Sequence, residues 1–148
     1  MLDVEKGREG LRRLIYASRF SGPGDPDETL RTIVAASIQN NRLVDVTGFL
    51  LAGDGRYLQW LEGPAASVRE TFERISRDTR HTDLTIIGDD PAERRWFRDW
   101  NMGQHRLGAQ DQALLSEVGL ERFEPAGLDA DRAERLLTRV GERHLRGG

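Results

Sequence analysis

The chain contains no cysteine. That absence removes disulfides, thiolate nucleophiles and cysteine-based metal sites together. Histidine is scarce as well: His81, His105 and His144 stand far apart, so a zinc site is not expected. No stretch approaches the ~20 apolar residues of a membrane-spanning helix. The N-terminal MLDVEKGREG mixes charges and lacks an apolar run, so it does not read as a signal peptide, and a cytoplasmic location is expected. Neither sign of charge dominates: 22 basic residues face 25 acidic ones. A dedicated nucleic-acid binder usually carries a basic face, so no direct nucleic-acid partner is expected. Glycine-rich nucleotide loops, a Ser/His/Asp arrangement, internal repeats and low-complexity tracts are missing too.

What is present suits one domain: 148 residues with 37% apolar content can bury a single core. Leu11 to Ser18 reads as a strand, with Leu14, Tyr16 and Ser18 on one face and Ile15 and Ala17 on the other. The breaker run SGPGDPD follows. Asp27 then stands where a helix N-cap belongs. Leu30, Ile33, Val34, Ser37, Ile38 and Asn41 follow helical spacing, so an asparagine closes an apolar stripe. By spacing alone that amide sits half exposed near a helix end; buried, it would need partners for two donors and an acceptor.

Val44 to Ala52 and Arg56 to Glu62 flank Gly53-Asp54-Gly55, a strong hairpin signal. Tyr57, Gln59 and Leu61 share one face of the second run, Leu58 and Trp60 the other. A second amphipathic helix spans about Ala65 to Asp78, carried by Val68, Phe72 and Ile75. Arg74 and Asp78 stand four apart, the spacing of an exposed ion pair on one helix. A fourth strand is expected over Leu84 to Gly88 and a fifth over about Trp96 to Gln104, where Trp96, Phe97, Trp100 and Met102 read as core. The order β-α-β-β-α-β-β implies a ferredoxin-like α/β sandwich with both helices on one face of an antiparallel-rich sheet. A ligand between the two helices would meet Asn41, Arg74 and Asp78 together. From about Gln110 two helical stretches follow, the last striped by Ala133, Leu136, Leu137, Val140 and His144. With a sheet face left exposed, that stripe points to a homodimer or larger oligomer.

Five pieces occur in order between Leu11 and Met102: LIYAS, SIQNN with the following VTG, YLQWLEG, RDTRH, and the run from Pro91 to Met102 with its Arg, Phe, Trp and Met. Together they make the chain resemble the BLUF family of flavin-based blue-light sensors. Ala92 departs from a common isoleucine, and the loop from Phe20 to Pro26 is rich in Gly and Pro. The resemblance implies that Tyr16 donates an electron and a proton to the excited flavin. It implies that Gln59 bridges Tyr16 and the flavin's carbonyl edge. Asn40 and Asn41 would hold the pyrimidine end, and Ile33 and Ile75 would sandwich the ring. Arg74 and Asp78 would meet the ribityl chain, with Arg80 and His81 towards the ring edge or phosphates. Trp100 and Met102 would report the switch into the last strand. FAD is the implied cofactor, although FMN and riboflavin share the same ring contacts. Without cysteine the photochemistry cannot be a covalent thiol adduct.

On this reading residues 1–105 form the sensor domain and residues 106–148 a helical extension of the same compact unit. The protein is then not an enzyme, and it acts through an unidentified effector protein. An acylphosphatase-like hydrolase would need glycine and arginine features that Phe20 to Pro26 lacks. A ligand-free module would leave Asn41 and Gln59 without a reason, and a catalytic flavin would need a substrate base that nothing here supplies.

Overall fold

The computed structural model describes residues 10–147; the N-terminal segment expected not to be a signal peptide lies almost wholly outside them. Five strands form one sheet: β1 (Leu11–Phe20), β2 (Thr47–Gly53), β3 (Arg56–Pro64), β4 (His81–Pro91) and β5 (Gly103–Arg106). Their spatial order is β4-β1-β3-β2-β5. All neighbours run antiparallel except β2 and β5, which are parallel. The helices are α1 (Pro26–Leu43), α2 (Ala65–Ser76), α3 (Gln112–Glu117) and α4 (Ala130–Gly147). The fold is ferredoxin-like, with the expected β-α-β-β-α-β-β order.

Alternation along the strands sorts side chains into two cores. Leu14, Tyr16, Leu50, Tyr57 and Leu61 face α1 and α2. Ile15, Ala17, Phe49, Leu51, Leu58 and Trp60 face the opposite way. The β2–β3 hairpin turns at Asp54 and Gly55, both with positive φ (50° and 73°), the backbone that Asp-Gly adopts readily in a tight primed turn.

Helix α1 begins earlier than expected. Its N-cap is Asp25, whose carboxylate accepts from the Asp27 N–H at 3.3 Å, and Pro26 fills the first helical position. Asp27 instead lies in the first turn, beside Glu28, where negative charge suits the helix dipole. Helix α2 stops at Ser76, so Asp78 lies beyond it.

Two further expectations fail. Trp96 to Met102 is not strand; only Gly103–Arg106 pairs, against Phe49 to Ala52. The reason is Glu62. This buried carboxylate accepts from the backbone N–H of Trp96 (2.8 Å) and Phe97 (2.7 Å), and also from Thr47 Oγ1 and Trp60 Nε1. Those backbone donors are thereby taken from any ladder, and the chain curls until Trp100 donates to the Phe97 carbonyl. The second failure is the exposed sheet face. Ala133, Leu136, Leu137 and Val140 of α4 are buried against the chain's own Phe97 and the sheet. The apolar part of the stripe that suggested an oligomer is thus buried within the chain itself.

Candidate functional site

The two helices diverge over the sheet and leave a cleft of about 690 Å³, measured out to its mouth. Tyr16 on β1, Leu50 on β2, and Tyr57 and Gln59 on β3 form its floor. One wall is α1, through Ile33, Ala36, Ser37, Asn40 and Asn41. The other is α2, the turn after it and the start of β4, through Arg74, Ile75, Asp78, Arg80 and His81. The ten residues expected to meet a cofactor therefore line one space. Trp100 does not. It sits on the far side of the sheet, stacked 6.0 Å from Phe97 and tilted against Phe49 at 5.6 Å. Met102 takes the floor side of the sheet instead, packed in the core beneath the cleft.

Tyr16 and Gln59 are direct partners in the β1–β3 register, which brings phenol and amide together. Tyr16 Oη donates to Gln59 Oε1. Gln59 Nε2 donates to Met102 Sδ at 3.3 Å. A thioether sulfur can only accept, so the amide nitrogen must face Met102 and the amide oxygen Tyr16. All three side chains are buried. Burial, reinforced by the nearby charge of Asp78 and by Tyr57, pushes the Tyr16 hydroxyl far above the ordinary phenol range. Tyr16 is therefore a neutral donor across the whole working pH range.

Asn41 is 1% exposed, not half exposed. Its Nδ2 donates to the Asn101 carbonyl at 2.8 Å, while Asn101 Nδ2 donates to the Val46 carbonyl at 3.2 Å. The expected Arg74–Asp78 pair is absent because Asp78 stands outside the helix. Asp78 is held instead by Arg80, through two side-chain nitrogens and the backbone N–H. That hydrogen bonding, larger than the opposing effect of burial, keeps the Asp78 carboxyl below its ordinary range. Arg74 has no ion pair among the described residues. His81 Nε2 donates to the Ile75 carbonyl at 2.6 Å, so Nδ1 of the neutral ring accepts from Ser18 Oγ at 2.9 Å.

Tyr57 was not expected as a site residue, although its place on the Gln59 face is visible in the sequence. Its buried hydroxyl lines the cleft and has no hydrogen-bond partner among the described residues. Ala36 and Ser37 were not expected there either; their small side chains, one turn after Ile33, leave room beside the sheet. The cleft thus has apolar walls, amides at one end, cations at the other and an orphaned phenol on its floor. A flat heteroaromatic ring with a polar edge and a charged tail fits that set of donors.

Residues 11–103 match the family described as BLUF, sensors of blue-light using FAD. The chain belongs to the BLUF family. The match covers β1 to β4, α1, α2 and every cleft residue, and ends at the first residue of β5. BLUF relatives include the photoactivated adenylate cyclase subunit beta of Euglena longa, 30% identical over 62% of this chain but only 11% of the relative. Another is the blue light- and temperature-regulated antirepressor BluF of Escherichia coli K12, 32% identical over 77% of this chain and 29% of that protein. The chain therefore spans a small part of these curated relatives. Two solved BLUF structures match over most of both chains. BlsA in its photo-activated state superposes with a TM-score of 0.81 at 25% identity, covering 87% of this chain and 93% of that one. The dark state of BlrB gives 0.75 at 29% identity, covering 90% and 98%. As a BLUF protein the chain falls in a family of flavin-binding blue-light sensors, and no helix among the described residues is long and apolar enough to cross a membrane.

Proposed function

We propose that this chain is a non-enzymatic blue-light receptor that holds FAD in the cleft between α1 and α2 and switches at Gln59. The observation that carries the reading is the hydrogen-bond chain from Tyr16 through Gln59 to Met102 on the cleft floor. A bound flavin supplies the blue-light absorption and a carbonyl edge for hydrogen bonding. Asn40 and Asn41 would hold the pyrimidine end of the flavin. Ile33 and Ile75 would close on the ring faces, and Arg74 and Asp78 would meet the ribityl chain, all from the lining of the cleft. Arg80 and His81 would stand towards the ring edge or the phosphates, and FAD is the flavin that the family's description names.

Tyr16 would be the donor of an electron and a proton to a bound, photo-excited flavin, and the buried phenol stays neutral until then. Gln59 is the element that reads the event. Turning its amide brings Oε1 to Met102, whose sulfur has no hydrogen to offer. The Gln59–Met102 bond is then lost, and Tyr16 must accept where it had donated. Met102 immediately precedes β5, so its release is felt in the strand leading to α3 and α4. The non-enzymatic reading is supported by the engagement of two of the cleft's titratable groups: Asp78 is engaged by Arg80, and both His81 nitrogens are bonded. Output then passes to an effector protein in the cytoplasm, in keeping with cyclase and antirepressor relatives that carry further sequence.

An absorption spectrum of the purified protein before and after blue light tests the reading. The expected result is bound oxidised flavin with a small red shift that reverses in the dark. Protein that carries no flavin, or flavin without a reversible shift, overturns it.

A further inference from the structure

His105 and His144, separated by 39 positions, meet where β5 runs beside α4. His105 Nε2 lies 3.1 Å from Asp111 Oδ2. The carboxylate accepts, so this nitrogen carries its hydrogen. His105 Nδ1 is then bare in the neutral ring and accepts from His144 Nε2 at 2.9 Å. The Asp111 carboxylate is fully buried and also accepts from the Gly108 N–H at 2.8 Å and Arg143 Nη1 at 2.9 Å. Burial opposes its charge, but these three donors outweigh burial and hold the carboxyl below its ordinary range. The His144 ring rests on Phe49 and Trp100.

One hydrogen between two facing imidazoles makes a bond. The pair satisfies this with both rings neutral or with a single added proton. With both rings cationic, two N–H groups and two charges confront each other at hydrogen-bonding distance, and the contact becomes repulsive. We propose that the His105–His144 pair is a proton-binding site that ties β5 to α4 when at most one proton is added and releases the end of α4 when the second binds. This input is independent of the light reaction.

The surrounding charges set its poise. Asp111 and Arg143 face the pair from the turn after β5 and from α4, and Arg106 from β5 itself. Asp27 and Arg31 of α1 line the same groove. Asp27 pairs with Arg106 and Asp111 with Arg143, which leaves Arg31 as the cation of this set with no ion pair among the described residues. That field disfavours a second proton. Desolvation first, then the charges of His105 and Arg143, lower the pKa of His144, with Asp111 pulling the other way.

Hydrogen exchange of the whole protein, kept in the dark and corrected for intrinsic rates, tests the site between about pH 8 and about pH 5, the range in which histidine titrates. Amides of residues 137–144 are expected to lose roughly tenfold protection at the lower pH while β1 and β3 keep theirs. His144→Gln retains an amide N–H for His105 Nδ1 but cannot take a charge, so its protection should not respond to pH. His144→Phe keeps a ring without the bond and should show low protection at both values. Wild-type protection that is the same at both pH values, or His144→Gln as pH-sensitive as wild type, overturns the proposal. Neither reading depends on flavin or illumination.

Discussion

The switch proposed at Gln59 rests on what its two neighbours can and cannot do. Tyr16 can donate or accept; Met102 can only accept. An amide between them has one favoured orientation, and turning it costs a bond. Tyr16→Phe removes the hydroxyl while preserving ring shape. It is expected to retain flavin and lose the reversible red shift, as read by absorption under blue light. Gln59→Leu should give the same pair of results. A normal shift in either variant would place the switch elsewhere. Asn41→Ala tests the other end of the cleft. It removes the bond to the Asn101 carbonyl and, on the proposed reading, an amide from the flavin's ring edge. Flavin affinity should fall by about 1–3 kcal/mol, measured by equilibrium titration. At this scale the sequence is informative where residue type conflicts with surroundings. An asparagine ending an apolar stripe and a glutamine amid large apolar neighbours both stand out from their spacing alone. Tyr57 does not, because a tyrosine on a buried strand face looks like core until its hydroxyl is found without a partner.

Among the elements, periodicity located the first four strands and both cleft helices, because each buries one face. It misplaced the fifth strand. Trp96, Phe97 and Trp100 have strand-forming side chains, yet strand needs free backbone donors, and Glu62 takes two of them from across the sheet. Nothing near Trp96 in sequence announces that. The Arg74–Asp78 pair failed for a related reason: the spacing rule holds only inside a helix, and α2 ends at Ser76. Helix α4 shows how closely elements are fitted. A Cβ added at Gly141 would lie 2.7 Å from Phe97 Cε1. In an exposed helix Gly→Ala gains about 0.5–1 kcal/mol. Here Gly141→Ala should instead cost about 1–3 kcal/mol through overpacking, measured by urea denaturation. A stabilised variant would show that α4 does not press on Phe97.

Across the whole molecule, the cleft and the C-terminal helices lie on opposite faces of one sheet, joined by the segment from Trp96 to Arg106. Trp100 belongs to the far face, so Trp100→Ala should leave the red shift in place. It should weaken any light-dependent change in hydrogen exchange over residues 105–147. Unaltered exchange differences would route the signal through another element. Stability should also follow the paired acids. Asp78 and Asp111 both have carboxyls held below their ordinary value in the folded chain. Each therefore contributes stability that is fully present above the unfolded value, near pH 4, and is lost as pH falls through the folded one. Asp111→Asn should flatten the acid limb of a stability–pH curve followed by circular dichroism. An unchanged limb would mean that Asp111 is not responsible.

The position of β1 between β3 and β4 has a consequence during synthesis. β1, the earliest strand of this sheet, cannot be flanked on both sides until Pro91 has left the ribosome, and its back face stays open until α4 follows. At about 5–20 residues per second, that interval lasts several seconds. Throughout it Phe49, Leu51, Leu58 and Trp60 present a bare apolar surface on a nascent chain. The growing sheet is thus most exposed to aggregation, and most in need of a chaperone, just before α4 emerges.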